Sequence, residues 1–420
     1  MKVAIVCDWL TNVGGAEKVL LRVHQLYPKA PIYTSKYSPR GISWFRDADV
    51  RTGWLQIFPS FMRRLLGPLR MRWFKRLDLS EYDLVISVTG AEAKAVKTVN
   101  PKTGRRAVHI CYCHVPTQYY WQMYDEYIRD PGFGVLNPVV RVCFKILVRG
   151  QRKKDFAAAG RVDQFVTISE YARELIAKYY KREAIVIHPP VEVKIFSSRN
   201  SLSESVRLGP LECHTLDRGQ NRPDGRTCPG RQEYTSQMTK SGSGSCSRKD
   251  YCDYYVTTSR QVTWKRIDLA VKACAKMGRE LYVIGEGPEH DSLVKMAKDA
   301  SCVRFLPLMT AKDLAKYLRG ARGYIFPSME PFGIAPVEAL ASGCPVIAYG
   351  KGGALDYVRD GENGVLFEKQ TVKSLEEAIL KFEKMKFGRA KVAESALGFD
   401  AARFDQEIKE LVDEKVGKTV

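Results

Sequence analysis

Twelve short apolar runs, alternating with helical segments, constrain this chain more than any other feature. In residues 1–195 they are KVAIVCD (2–8), PIYTS (31–35), DLVISVT (83–89), AVHICYCH (107–114), QFVTIS (164–169) and AIVIHPP (184–190). Between them lie helical patterns such as GAEKVLLRVHQLY (15–27) and SEYARELIAKYY (169–180), the latter with Ser169 as the expected N-cap. Residues 251–395 repeat the rhythm with DYYVTTS (253–259), ELYVIG (280–285), CVRFL (302–306), GYIFPS (323–328), PVIAYG (345–350) and GVLFE (364–368). Continuous apolar strands that alternate with helices predict parallel sheets covered on both faces. The chain therefore reads as two α/β domains, 1–195 and 251–395. An amphipathic tail helix falls within 396–420, with Phe404, Ile408 and Leu411 on one stripe.

Residues 196–250 break the pattern. From Ser198 to Asp250 there is no Ala, Ile, Phe or Trp, and nine cations stand against six acids. Such a stretch buries too little to fold alone and reads as a disordered insertion between domains. Two origins stay open for it, a genuine insertion and an out-of-frame piece of coding sequence. The eleven cysteines are scattered; Cys7, Cys274, Cys302 and Cys344 sit in or beside apolar runs and read as small hydrophobes. Cys111, Cys113 and His114 have no second ligand pair at zinc-like spacing, so no metal is expected. The opening MKVAIVCDWL reads as a strand and not a leader, and no run reaches the roughly 18 apolar residues of a membrane span. A cytoplasmic protein is expected.

Three motifs carry candidate chemistry. GGAEK (14–18) follows the first strand and opens a helix, so backbone amides at Gly14 and Gly15 can approach a phosphate. The G-x-G-x-x-G dinucleotide pattern is absent there. SRQVTWKRID (259–268) follows the first strand of the second block, where parallel sheets bind ligands. Its Arg260 and Lys265 suit a diphosphate, one as a fork and one as a point charge. In SMEPFGIAPVEALASG (328–343), Glu330 and Glu338 flank Pro331 and Pro336, which argues against one continuous helix. Pro336 fits the first helical position and Gly343 the residue after the C-cap, which puts Glu338 in the first turn and Glu330 in the loop before it. Two carboxylates accept hydroxyl hydrogen bonds, and amides of PFGI between them can donate to anionic oxygens. The set matches a sugar at one end of a ligand and a ribose at the other.

Together with GEGPE (285–289) and GKGGALDYV (350–358), these motifs resemble family 4 of the retaining, nucleotide-sugar-dependent glycosyltransferases. The resemblance covers residues 1–195 and 251–415 and implies the GT-B fold, two Rossmann-like domains facing a cleft. Within the family the chain is most similar to bacterial mannosyltransferases of polysaccharide and lipopolysaccharide assembly, with CHVPTQYYWQMYDEY (113–127) as support. The resemblance implies that Gly14 and Gly15 approach the diphosphate and acceptor, and that His114 contacts a hydroxyl of the reacting sugar. It implies that Arg260 and Lys265 neutralise the diphosphate and that Glu330 binds donor-sugar hydroxyls. Phe332, Gly333 and Ile334 would supply backbone contacts, Glu338 would hold the ribose, and FLPLM (305–309) would lie near the base. GDP-mannose is the implied donor. No cofactor and no metal are implied. The long insertion departs from the family's short linker, so an impaired homologue that only binds nucleotide sugar remains the alternative.

Net charge is +20, which favours anionic partners. FMRRLLGPLRMRWFKR (61–76) and RVCFKILVRGQRKK (141–154) each hold six cations, no acid and interleaved bulky apolar residues. That mixture suits an anionic membrane surface and hence a lipid-linked saccharide acceptor, at the inner face of the cell membrane. A basic RNA-binding protein would explain the charge but not the paired glutamates, so no nucleic-acid partner is expected.

Overall fold

The computed structural model describes residues 1–59, 66–129, 137–197 and 252–417. Its first sheet holds β1 (Val3–Cys7), β2 (Ile32–Thr34), β3 (Val50–Thr52), β4 (Leu84–Thr89), β5 (Val108–Cys113), β6 (Gln164–Thr167) and β7 (Ala184–Val186). They lie in the order β3-β2-β1-β4-β5-β6-β7. The second sheet holds β8 (Tyr254–Thr258), β9 (Glu280–Ile284), β10 (Val303–Leu306), β11 (Gly323–Phe326), β12 (Val346–Tyr349) and β13 (Gly364–Phe367), in the order β10-β9-β8-β11-β12-β13. Every pairing within the two sheets is parallel.

All twelve apolar runs form strands, trimmed at their ends. The strands β1, β4 and β5 are buried along their whole length, as helices on both faces require. Only β3 was illegible in the sequence: VRT is short, partly exposed and lies at the sheet edge, so it carries no apolar signature. Ser169 does cap its helix, accepting a 3.0 Å hydrogen bond from the Ala172 amide. The insertion expected over 196–250 lies, from residue 198 onward, outside the described residues.

The chain crosses between the domains twice, side by side. The Val191 amide donates to the Phe399 carbonyl and the Ala401 amide to the Val191 carbonyl, both at 3.0 Å. Beyond this bridge the helix Ala401–Gly417 returns to the first domain. Phe404 meets Tyr112 edge-on at 5.8 Å, and Arg22 holds Asp405 at 2.6 Å.

The first domain buries charge as well as apolar surface. Lys94 and Asp155 are both under 2% exposed and pair at 2.7 Å. Thr117, Trp121 and Tyr180 complete the carboxylate's shell at 2.8–3.0 Å, so every lone-pair direction is answered. Arg70, read in the sequence as part of a basic surface, is instead buried and pairs with Glu92 at 3.0 Å. Residues 61–65 of that stretch lie outside the described residues.

His109 is wholly buried on β5 against Ser87 at 2.8 Å, and burial pushes its imidazole down to about 4. The folded chain thus holds His109 neutral while the unfolded chain protonates it below about pH 6.5. Its stabilising contribution is complete above that pH and is lost as pH falls through 4. The full loss is about 3 kcal/mol. Urea midpoints for wild type and His109→Gln between pH 7 and 4 check this: the variant should show the shallower slope, and parallel slopes reject it.

Candidate functional site

In the second sheet the strand order reverses between β8 and β11. The chains leaving these neighbours run to opposite sides, which opens a crevice at their carboxyl ends. The loop after β8 carries Arg260 and Lys265, and the loop after β11 carries Ser328 and Glu330. The Lys265 ammonium pairs with Glu330 Oε1, and both side chains are largely buried. Ser328 Oγ donates to the same oxygen at 2.9 Å. The indole of Trp264 lies against the ammonium, 4.4 Å from ring centroid to Nζ. Arg260 is exposed, and its guanidinium makes no ion pair among the described residues.

Gln261, fully buried, fastens this loop to GEGPE. Its Nε2 donates to the Gly285 carbonyl at 2.6 Å and its amide to the Glu286 carbonyl at 2.9 Å. Sequence reasoning passed over Gln261 because a glutamine between two cations reads as solvated.

The helix after Glu330 spans Ile334–Ala341, with Gly333 as its N-cap. Pro336 is therefore its third residue and not its first, and Glu338 falls in the second turn. The earlier start costs nothing in hydrogen bonds, because the first four amides of a helix have no intrahelical acceptor. Gly333 adopts φ +95°, a conformation closed to most side chains. The N-cap offers no side-chain acceptor, so the amides at Gly333, Ile334 and Ala335 remain available as donors. The Phe332 carbonyl is taken by the Tyr357 hydroxyl at 2.8 Å, and its ring is buried against His188. The GKGGALDYV segment packs directly beneath. The Gly353 amide donates to the Glu330 carbonyl at 2.8 Å, and a Cβ on Gly353 would stand 2.4 Å from Phe332 Cα.

The first domain presents its own reversal between β1 and β4. Asp8, at the end of β1, ties the two loops together. It accepts from Thr89 Oγ1 at 2.8 Å, from the Gly90 amide at 3.0 Å and from the Ala93 amide at 2.8 Å. Gly14 is the N-cap of the helix Gly15–Leu26, again without a capping side chain. Lys18 on that helix reaches across to Glu338, Nζ to Oε1 2.8 Å. Two uncapped helix N-termini, one from each domain, thus meet beside Glu338, and each carries partial positive charge. His114 follows β5. Its Nε2 is buried without a hydrogen-bond partner, and burial pushes the imidazole down to about 4, so the ring is neutral near pH 7.

The structure therefore joins Lys265 to Glu330, and the Gly14–Gly15 helix start to Ile334 and Glu338. Among the described residues no hydrogen bond or ion pair joins Arg260 or His114 to that group. Among the described residues no cluster of three His, Cys, Asp or Glu side chains is arranged to hold a metal, and no helix is long and apolar enough to cross a membrane.

Residues 250–397 match the family model described as glycosyl transferases group 1. D-inositol 3-phosphate glycosyltransferases of Mycobacterium bovis (strain BCG / Pasteur 1173P2) and Mycobacterium tuberculosis (strain ATCC 25618 / H37Rv) are 34% identical over 154 residues. That match covers 34% of this chain and 32% of those relatives, about a third of their length. Among solved structures, Anabaena HepE in complex with UDP superposes with a TM-score of 0.65 at 19% identity, covering 99% of this chain and 100% of that one. Sucrose-phosphate synthase from Thermosynechococcus elongatus gives 0.63 at 15% identity, covering 99% of each chain. WaaG, a glycosyltransferase involved in lipopolysaccharide biosynthesis, gives 0.59 at 13% identity, covering 99% of this chain and 100% of that one. The fold is GT-B: two parallel-sheet α/β domains about a cleft.

Proposed function

We propose that this protein is a retaining glycosyltransferase that moves a hexosyl group, mannosyl foremost, from a nucleoside-diphosphate sugar to a saccharide acceptor. The observation that carries the reading is the pairing of each motif glutamate with a lysine where two helix N-termini converge. Such a site suits a dianionic diphosphate flanked by two hydroxyl-bearing rings. The mycobacterial relatives and WaaG are named as glycosyltransferases, and HepE is seen with UDP and with UDP-glucose, which supports a nucleotide-sugar donor.

In this reading Lys265 and Arg260 stabilise the charge that grows on the departing diphosphate. Glu330 accepts from hydroxyls of the transferred sugar, and Glu338 from the ribose. Amides at Gly333 and Ile334 face the diphosphate, and the backbone at Phe332 shapes the turn that aims them. Gly14 and Gly15 let the acceptor and diphosphate approach the first domain. Neutral His114 offers Nε2 to a sugar hydroxyl. The acceptor hydroxyl attacks on the face the diphosphate leaves, and a diphosphate oxygen takes its proton. The cations neutralise the leaving group, so transfer needs no divalent metal.

A thermal-shift screen against GDP-, UDP- and ADP-sugars, followed by transfer assays with and without chelator, tests the assignment. GDP-mannose should give the largest shift, and transfer should persist in chelator. No shift with any nucleotide sugar would reject the site. Binding without transfer or hydrolysis would favour an impaired homologue.

The acceptor is lipid-linked and met at an anionic membrane. The helix Asn137–Ala159 supports this: Val139, Val142 and Ile146 are exposed on one stripe, and Lys145, Arg149 and Lys153 are exposed beside it. Apolar residues flanked by cations bind an anionic interface by insertion plus charge. Vesicles with anionic lipid should sediment the protein, and salt should release it. Equal retention on neutral vesicles would remove the electrostatic argument.

A further inference from the structure

Lys18 has no part in the roles above, yet it makes the ion pair that ties the helix start of one domain to the glutamate of the other. Its ammonium sits 2.8 Å from Glu338 Oε1, with Lys18 43% exposed and Glu338 10% exposed at the side chain. The contact is not an isolated surface encounter. A Cβ on Gly15 would lie 3.4 Å from Ile334 Cδ1, so the first turns of the two helices already abut. Glu338 Oε2 has no hydrogen-bond partner among the described residues.

We propose that Lys18 is the positioning residue for the nucleotide ribose. By taking Oε1 it fixes the rotation of the Glu338 carboxylate and leaves Oε2 to accept from the ribose diol. Because Lys18 belongs to the opposite domain, that orientation exists only while the two domains are docked with these helix starts in contact. Ribose recognition then depends on how the two domains dock. The inference rests on the proposed role of Glu338 at the ribose. Isolated exposed ion pairs contribute little, about 0–1 kcal/mol. This pair matters by aiming a largely buried acceptor, so its effect should appear in ligand discrimination rather than in stability.

The test is calorimetric titration with whichever of GDP, UDP or ADP the wild type binds, and with the same nucleotide lacking the 2′-hydroxyl. Wild type should prefer the ribonucleotide by about tenfold, as the loss of one hydrogen bond to a charged acceptor implies. Lys18→Met should lower that preference to about twofold with no change in Tm, and Lys18→Arg should restore it. On a Glu338→Gln background, Lys18→Met should change nothing further. A Lys18→Met protein that keeps the full ribose preference overturns the inference while leaving the donor site intact. A wild type that binds none of the three nucleotides overturns the proposed function itself.

Discussion

Lys265→Ala is expected to lower kcat/KM for donor transfer by about 10²–10³, or roughly 3–4 kcal/mol, the cost of deleting one preorganised donor to a developing oxyanion. The magnitude follows from its setting. Lys265 is held between the Trp264 indole and Glu330, and its loop is fastened by Gln261. Little reorganisation is left for the moment of reaction. Arg260→Ala should fall in the same range through the leaving diphosphate, although the Arg260 side chain is exposed before ligand binding. Removing Lys265 also leaves the Glu330 carboxylate with Ser328 as its hydrogen-bond partner among the described residues. Steady-state kinetics therefore belong beside a measured Tm, and Lys265→Ala/Glu330→Gln separates an uncompensated carboxylate from lost leaving-group stabilisation. A loss below tenfold in a folded Lys265→Ala protein would refute the leaving-group role.

Lys94→Met should destabilise the first domain by about 3–5 kcal/mol, because it strands a buried carboxylate without its cation. Asp155 would keep its hydrogen bonds from Thr117, Trp121 and Tyr180 but lose the charge 2.7 Å away. The double change Lys94→Met/Asp155→Leu should be milder than Lys94→Met alone, since it removes the orphan. Denaturant midpoints check both, and a Lys94→Met cost under 1 kcal/mol would mean that water or another cation reaches the site. The network joins the helix Asn137–Ala159 to the turn after His114, so a loosened network should also weaken transfer.

The motifs were legible because each solves a local problem. Gly14 ahead of a helix and Glu330 ahead of Gly333 are properties of a few neighbouring residues. Pro336 misled for the same reason: proline fits the first position of a helix, but the third is equally free of an intrahelical acceptor. Arg70 misled because a basic run reads as surface until Glu92 is known to lie opposite it. Lys18 and Asp8 were invisible as partners, since Glu338 lies 320 residues from one and Ala93 lies 85 from the other.

By itself the sequence determined two parallel sheets, since alternating apolar strands and amphipathic helices admit little else, and it marked the residue types fit for a diphosphate and two rings. The tertiary structure alone decided that Lys265 meets Glu330 and that Lys18 meets Glu338. The first meeting depends on strand order, which sets β8 beside β11 and opens the crevice between their loops. The second depends on how the two domains dock. Local propensity carries no information about either, because both are set by which distant surfaces bury each other.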